Sequence, residues 1–207
     1  MKAGRMFLSL VPWVAFTVIV DRRGVAGVAF AAIAATVISL YFLIKNAASD
    51  GFKIIDVAGT ATFGALAVIA LAGGPAVHED AADFGRGGAA LLLGVVMLAS
   101  VFVLPFTEQY ARQSVPRQYW TSPQFRQVNR KISAVWGGAV LLMGMSHVLA
   151  GIVSPVSDGT ALSGASLLLN WIIPVLLILG AVSYTKAASQ RASTPDRPGA
   201  QIAQVTR

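Results

Sequence analysis

The chain has 207 residues, of which 56% are hydrophobic and only 12% charged, with no cysteine, and its mean hydropathy is +0.69. A soluble domain carries about 25% charged residues, so the bulk of this chain belongs in lipid; disulfides and thiolate metal sites are excluded. The net charge of +7 is spread between apolar runs rather than gathered in one patch, which favours anionic lipid as a partner over nucleic acid.

Six apolar runs predict an all-α polytopic membrane protein: a six-helix transmembrane bundle with spans at 6–20, 25–44, 54–72, 89–106, 132–153 and 164–184. A helix needs about 20 residues to cross the hydrocarbon core, so the first run, at fifteen residues, is short. Residues 1–5 resemble a signal-peptide n-region, but Asp21, Arg22 and Arg23 follow the run without a small-residue cleavage site. A retained, tilted or kinked helix is expected. The second run follows a tight turn at Gly24 and carries Gly27, Ala31, Ala35 and Ser39 every four residues. Such a stripe allows close helix contact, within the chain or in a homo-oligomer. Tyr41 and Lys45 mark its interfacial end.

The third run opens with Asp56, with Thr60 and Gly64 on the same face. A carboxylate just inside a span faces protein or water, or is simply favoured by the helix dipole. Residues 73–88 read as a loop containing His78, Glu79, Asp80 and Asp83. Their spacing matches no metal motif, and Asp83 is expected to cap the fourth helix, which loses regularity at Pro105.

Residues 107–131 form an amphipathic cytoplasmic link. They hold five of the sixteen basic residues (Arg112, Arg117, Arg126, Arg130, Lys131) against one acid, Glu108, interleaved with Tyr110, Tyr119, Trp120 and Phe125. That mixture suits an anionic headgroup layer. Pro116 ends a short helix near Ser114, and Ser122 with Pro123 starts a new one as N-cap and first residue. Phe125, Val128, Ile132 and Trp136 then make one apolar stripe, so the helix begins at the surface and continues into the bilayer.

Gly137, Gly144 and Gly151 recur every seven residues in the fifth run. His147 lies six residues before its end, and Asn170 lies six after the start of the sixth run. The two are expected to meet at equal depth, about 9 Å in at 1.5 Å per residue, either as a structural hydrogen bond or in a polar path. Residues 186–207 lack periodicity and read as a disordered tail.

Thirteen basic residues fall on the side of both termini and only three, Arg22, Arg23 and Arg86, on the other. The positive-inside rule then makes both ends cytoplasmic. No phosphate loop, dinucleotide fingerprint, zinc-protease or nucleophile-elbow motif occurs. No catalytic, cofactor-binding or metal-binding residue is assigned.

Leu10–Val11–Pro12, the entry from Asp50 to Asp56, Pro105, Phe125–Arg126–Gln127–Val128–Asn129 and Trp136 together resemble the intracellular septation protein A family of small bacterial inner-membrane proteins, over roughly residues 6–150. The resemblance implies a non-catalytic role in cell-envelope maintenance or division through other membrane proteins. Two alternatives stand beside it. One is a small transporter or channel lined by Asp56, His147 and Asn170. The other is a lipid-modifying enzyme holding headgroups with the Arg-rich link.

Overall fold

The computed structural model describes residues 3–49, 51–156, 158–159 and 163–193, and all regular structure among them is helical. The helices are α1 (Ala3–Leu8), α2 (Val11–Arg23), α3 (Val28–Ser49), α4 (Ile54–Ala72), α5 (Pro75–Val103), α6 (Phe106–Ala111), α7 (Pro123–Val153), α8 (Gly164–Leu167) and α9 (Ile173–Ser193). Five helical stretches are long and apolar enough to cross a membrane: Met6–Ser49, Ile54–Ala72, Pro75–Val103, Pro123–Val153 and Gly164–Ala192.

The first of these is folded back on itself. Gly24 adopts φ 60°, a left-handed conformation that glycine enters without a steric penalty. Phe16 and Val20 of α2 pack with Ala31, Ala32 and Ala35 of α3 in one buried cluster. Trp13 and Ser39 both reach the same residue of α4, Gly59. The stripe Gly27, Ala31, Ala35 and Ser39 is buried inside the chain, so it serves intramolecular packing.

The segment 73–88, expected as a loop, is helical from Pro75 onward. Pro75 occupies the first turn, where its missing N–H is harmless. Two glycines of α5, Gly87 and Gly94, are there for packing. A Cβ on Gly87 would lie 2.7 Å from Val148 Cγ2, and one on Gly94 would lie 2.8 Å from Leu141 N. Reciprocally, Gly137, Gly144 and Gly151 sit against Leu98, Leu91 and Phe84. The two helices therefore run antiparallel in a fixed register, each presenting small residues every seven positions to the backbone of the other.

Ser122 caps α7 by accepting the N–H of Phe125 at 3.2 Å, and the helix continues unbroken to Val153. In the last stretch, a π-helical turn spans Leu168–Ile172. Pro174 follows, and a proline cannot donate to the carbonyl four residues back, that of Asn170, and crowds it, so the helix widens there. The helix then extends through Ser193, beyond residue 186 where the tail was expected to begin; residues 194–207 lie outside the described residues, as does Asp50.

Candidate functional site

Prolines build the polar end of the bundle. α5 stops at Val103 because Pro105 cannot continue it, and Pro105 becomes the N-cap of α6. α6 is then pinned to α7: Thr107 Oγ1 donates to the Asn129 carbonyl at 3.0 Å and lies 2.8 Å from Ser133 Oγ. This buries Thr107, Glu108 and Tyr110. Tyr110, expected at the leaflet surface, belongs instead to the core with Phe106, Ile132 and Trp136. Burial raises its phenol above the ordinary value, with Asp56 adding to the effect, so Tyr110 stays neutral.

The same helix gathers the link between α3 and α4. Lys53 is buried and donates from Nζ to the Gln109 carbonyl at 3.2 Å, while Gln109 Oε1 accepts the Ile54 N–H at 3.0 Å. Arg112 is locked by Glu108, with its Nη2 and Nε 2.6 and 3.1 Å from Oε1. Its guanidinium stacks on Trp120 at 5.1 Å, and that of Arg117 lies 5.7 Å from the same ring. Trp120 is itself held by Nε1 donating to the Val115 carbonyl at 2.8 Å. Together these groups line an open cavity of about 430 Å³, walled by Lys53, Gln109, Arg112, Gln113, Arg117 and Trp120 with Ser49, Phe52 and Leu104. Three of the expected headgroup residues, Arg112, Arg117 and Trp120, therefore share one site. Tyr119, Arg126, Arg130 and Lys131 are exposed and do not line it. Lys53, Gln109 and Gln113 were not singled out from sequence, because only folding brings residue 53 to residue 109.

The intramembrane polar residues fall into two separate groups. Asp56 accepts a hydrogen bond from Asn46 Nδ2 through Oδ2 at 2.6 Å. Its Oδ1 is buried and unpaired, as are Ser39 Oγ, Trp13 Nε1 and Thr62 Oγ1, while the Tyr110 hydroxyl faces Ser9. A Cβ on Gly59 would lie 2.9 Å from Ser39 Oγ and 3.5 Å from Trp13 Nε1, which places those two polar groups one helical turn from Asp56. Each unpaired buried group costs about 1–3 kcal/mol.

His147 and Asn170 do meet: Nδ1 and Oδ1 are 2.9 Å apart, and Asn170 Nδ2 donates to Ser166 Oγ at 3.0 Å. Ser146 donates to the Leu169 carbonyl within the π-helical turn at 2.7 Å. Nearby, Arg86 Nη1 pairs with Asp21 at 2.5 Å. Asp83 does not cap a helix; its Oδ1 accepts the Val156 N–H at 2.6 Å. Asp56 bonds to α3, whereas His147 bonds to the π-helical turn before α9, so the three residues offered as one polar path have different partners.

His78 Nε2 lies 2.6 Å from the Ala70 carbonyl, and among the described residues no group of three or more His, Cys, Asp or Glu is placed to hold a metal ion. Comparison with protein-family models, with curated proteins and with solved structures gave no match.

Proposed function

We propose that this chain is a six-pass protein of the bacterial inner membrane, both termini cytoplasmic, that acts without catalysis as a scaffold in envelope maintenance or division. The observation that carries the reading is the polarisation of the bundle. Lys53, Arg112 and Arg117 collect at one end with the amino end of α7, where Gln124 bonds to the Ala192 carbonyl at 3.2 Å, beside exposed Arg191. At the other end Arg86 is neutralised by Asp21, Glu79 and Asp80 are exposed, and Arg22 and Arg23 are the exposed basic residues among those described. The anionic inner leaflet attracts such a basic end.

The fold-back at Gly24 supports counting α2 and α3 as two passes, with α1 extending the short α2 toward the basic end. The use of polar intramembrane groups for helix-to-helix bonds, such as His147 to Asn170 and Trp136 Nε1 to Thr185 Oγ1 at 3.0 Å, supports a structural rather than a catalytic role. The resemblance to the septation protein A family supports the envelope assignment. Topology reporters fused after Lys186 and at His78 test the reading: the first should report cytoplasm and the second the external side, and an external signal at Lys186 would refute it.

A further inference from the structure

We propose that the cavity between the α3–α4 link, α6 and Trp120 binds the phosphate of a single anionic phospholipid, with its acyl chains running along Phe52, Phe102 and Val103. The proposal rests on the inner-leaflet reading of the basic end and adds a discrete, saturable site to it. Among the described residues the lining contains three cations, Lys53, Arg112 and Arg117, and no carboxylate. Glu108 sits behind Arg112 and fixes its orientation. Among the described residues no carboxylate pairs with Arg117, so its guanidinium keeps donor edges for an oxyanion while its face rests on Trp120. Lys53 also stands at the N-cap of α4, where the helix dipole favours an anion. Ser49 and Leu104 bring the carboxyl ends of α3 and α5 to the same cavity, so the side-chain cations, not the dipoles, set its charge.

A volume of about 430 Å³ lies in the range of small-ligand sites and accommodates a headgroup. Free phosphate would satisfy the same cations, but the margin of the cavity argues for a lipid. Phe52 in its wall is 70% exposed, and Phe102 and Val103, adjoining Leu104 of the wall, are 83% and 89% exposed. Apolar groups that bare, next to a basic pocket, match an amphiphile with a charged head and hydrocarbon tails.

The test uses the full chain, delipidated in neutral detergent and titrated separately with phosphatidylglycerol, phosphatidylcholine and inorganic phosphate, with bound ligands counted by native mass spectrometry. One phosphatidylglycerol per chain should bind saturably and phosphatidylcholine should not. Arg117→Gln, at an exposed position, should weaken binding about fivefold, the equivalent of one basic contact, with unchanged thermal unfolding. The triple change Arg126→Gln, Arg130→Gln, Lys131→Gln should reduce salt-dependent attraction to anionic vesicles yet retain the one bound lipid. Equal retention of phosphatidylcholine, or full affinity in both Arg117→Gln and Arg117→Glu, would overturn the site. Displacement of phosphatidylglycerol by an equal concentration of inorganic phosphate would overturn its assignment to a lipid. Failure of the six-pass reading appears in the reporter fusions instead and leaves binding in detergent unaffected.

Discussion

Asn170 shows how one side chain can hold a helix irregularity in place. Pro174 removes a donor and crowds the carbonyl of Asn170; the turn widens, and the Asn170 side chain bridges Ser166 and His147. His147 and Asn170 are both buried, so deleting Asn170 strips His147 Nδ1 of its partner in a low-dielectric setting, whereas deleting His147 leaves Asn170 Oδ1 unpaired with its Nδ2 still bonded to Ser166. Asn170→Ala should therefore destabilise more than Ser166→Ala, because it breaks two bonds rather than one. In thermal unfolding, His147→Ala and Asn170→Ala should be coupled by at least about 0.6 kcal/mol, the mean for interhelical pairs. Strictly additive losses would show that the bond contributes nothing. Asp56 is a contrasting residue: its carboxylate has one bond, to Asn46, and a second oxygen that is buried and unpaired.

At the scale of elements, the seam between α5 and α7 organises the bundle. Lipid offers no hydrophobic drive for two helices to associate, so close packing has to supply it, and here glycines on both helices let backbone meet backbone. On Gly144 a Cβ would lie 2.7 Å from Leu91 N, whereas on Gly138, on the same helix, it would meet nothing within 4 Å. Backbone cannot move aside as a flexible side chain does. Gly144→Leu should accordingly cost 3 kcal/mol or more, at or above the top of the usual range for overpacking. Gly138→Ala should be neutral or stabilise by up to about 1 kcal/mol through helix propensity. Equilibrium unfolding in mixed micelles measures both, and equal effects at the two positions would contradict the seam. The stripe on α3 is spent in the same way, against α2 and α4, while the opposite face of α3 (Phe30, Ile33, Val37) and the outer faces of the other long helices, α7 and α9 among them, stay bare for lipid or partners. Met145, Leu149 and Ile152 of α7 and Val175, Leu176 and Leu179 of α9 are exposed there.

For the whole molecule, the question is whether the buried polar groups connect the two sides. Asp56 lies near the basic end with Asn46, and the His147–Asn170 pair belongs to the other half with Asp21 and Arg86 as electrostatic neighbours. Aromatic and small apolar residues, including Phe16, Phe63 and Ala67, pack tightly in one cluster of the core. On the scaffold reading the bundle should be tight. Proteoliposomes carrying the protein should leak protons and monovalent cations no faster than empty liposomes. A flux above that background that disappears in Asp56→Asn would favour the transporter reading over the scaffold.

Much of this architecture was already legible in the chain, because the signals concerned are local. Apolar run length foresaw an all-helical chain with helices long and apolar enough to cross a membrane, five such stretches against the six runs read; Ser122–Pro123 marked the start of α7, and the seven-residue spacing of Gly137, Gly144 and Gly151 announced a close-packed face. Depth counting brought His147 to Asn170, since two antiparallel helices with one rise per residue leave little choice of partner. What tertiary structure alone decided depends on contacts between distant segments. Residues 73–88 read as a loop from their polar and acidic stretch; only the contact of Gly87 with α7 backbone, repeated a heptad on at Gly94, reveals that the segment from Pro75 is already helix. Tyr110 read as an interfacial aromatic until α6 turned it inward. Lys53 was one basic residue among sixteen, and it became part of a site when the α3–α4 link docked on Gln109. Periodicity and proline chemistry act within a few turns of helix, whereas a binding cavity is made by whichever segments the packing of the bundle brings face to face.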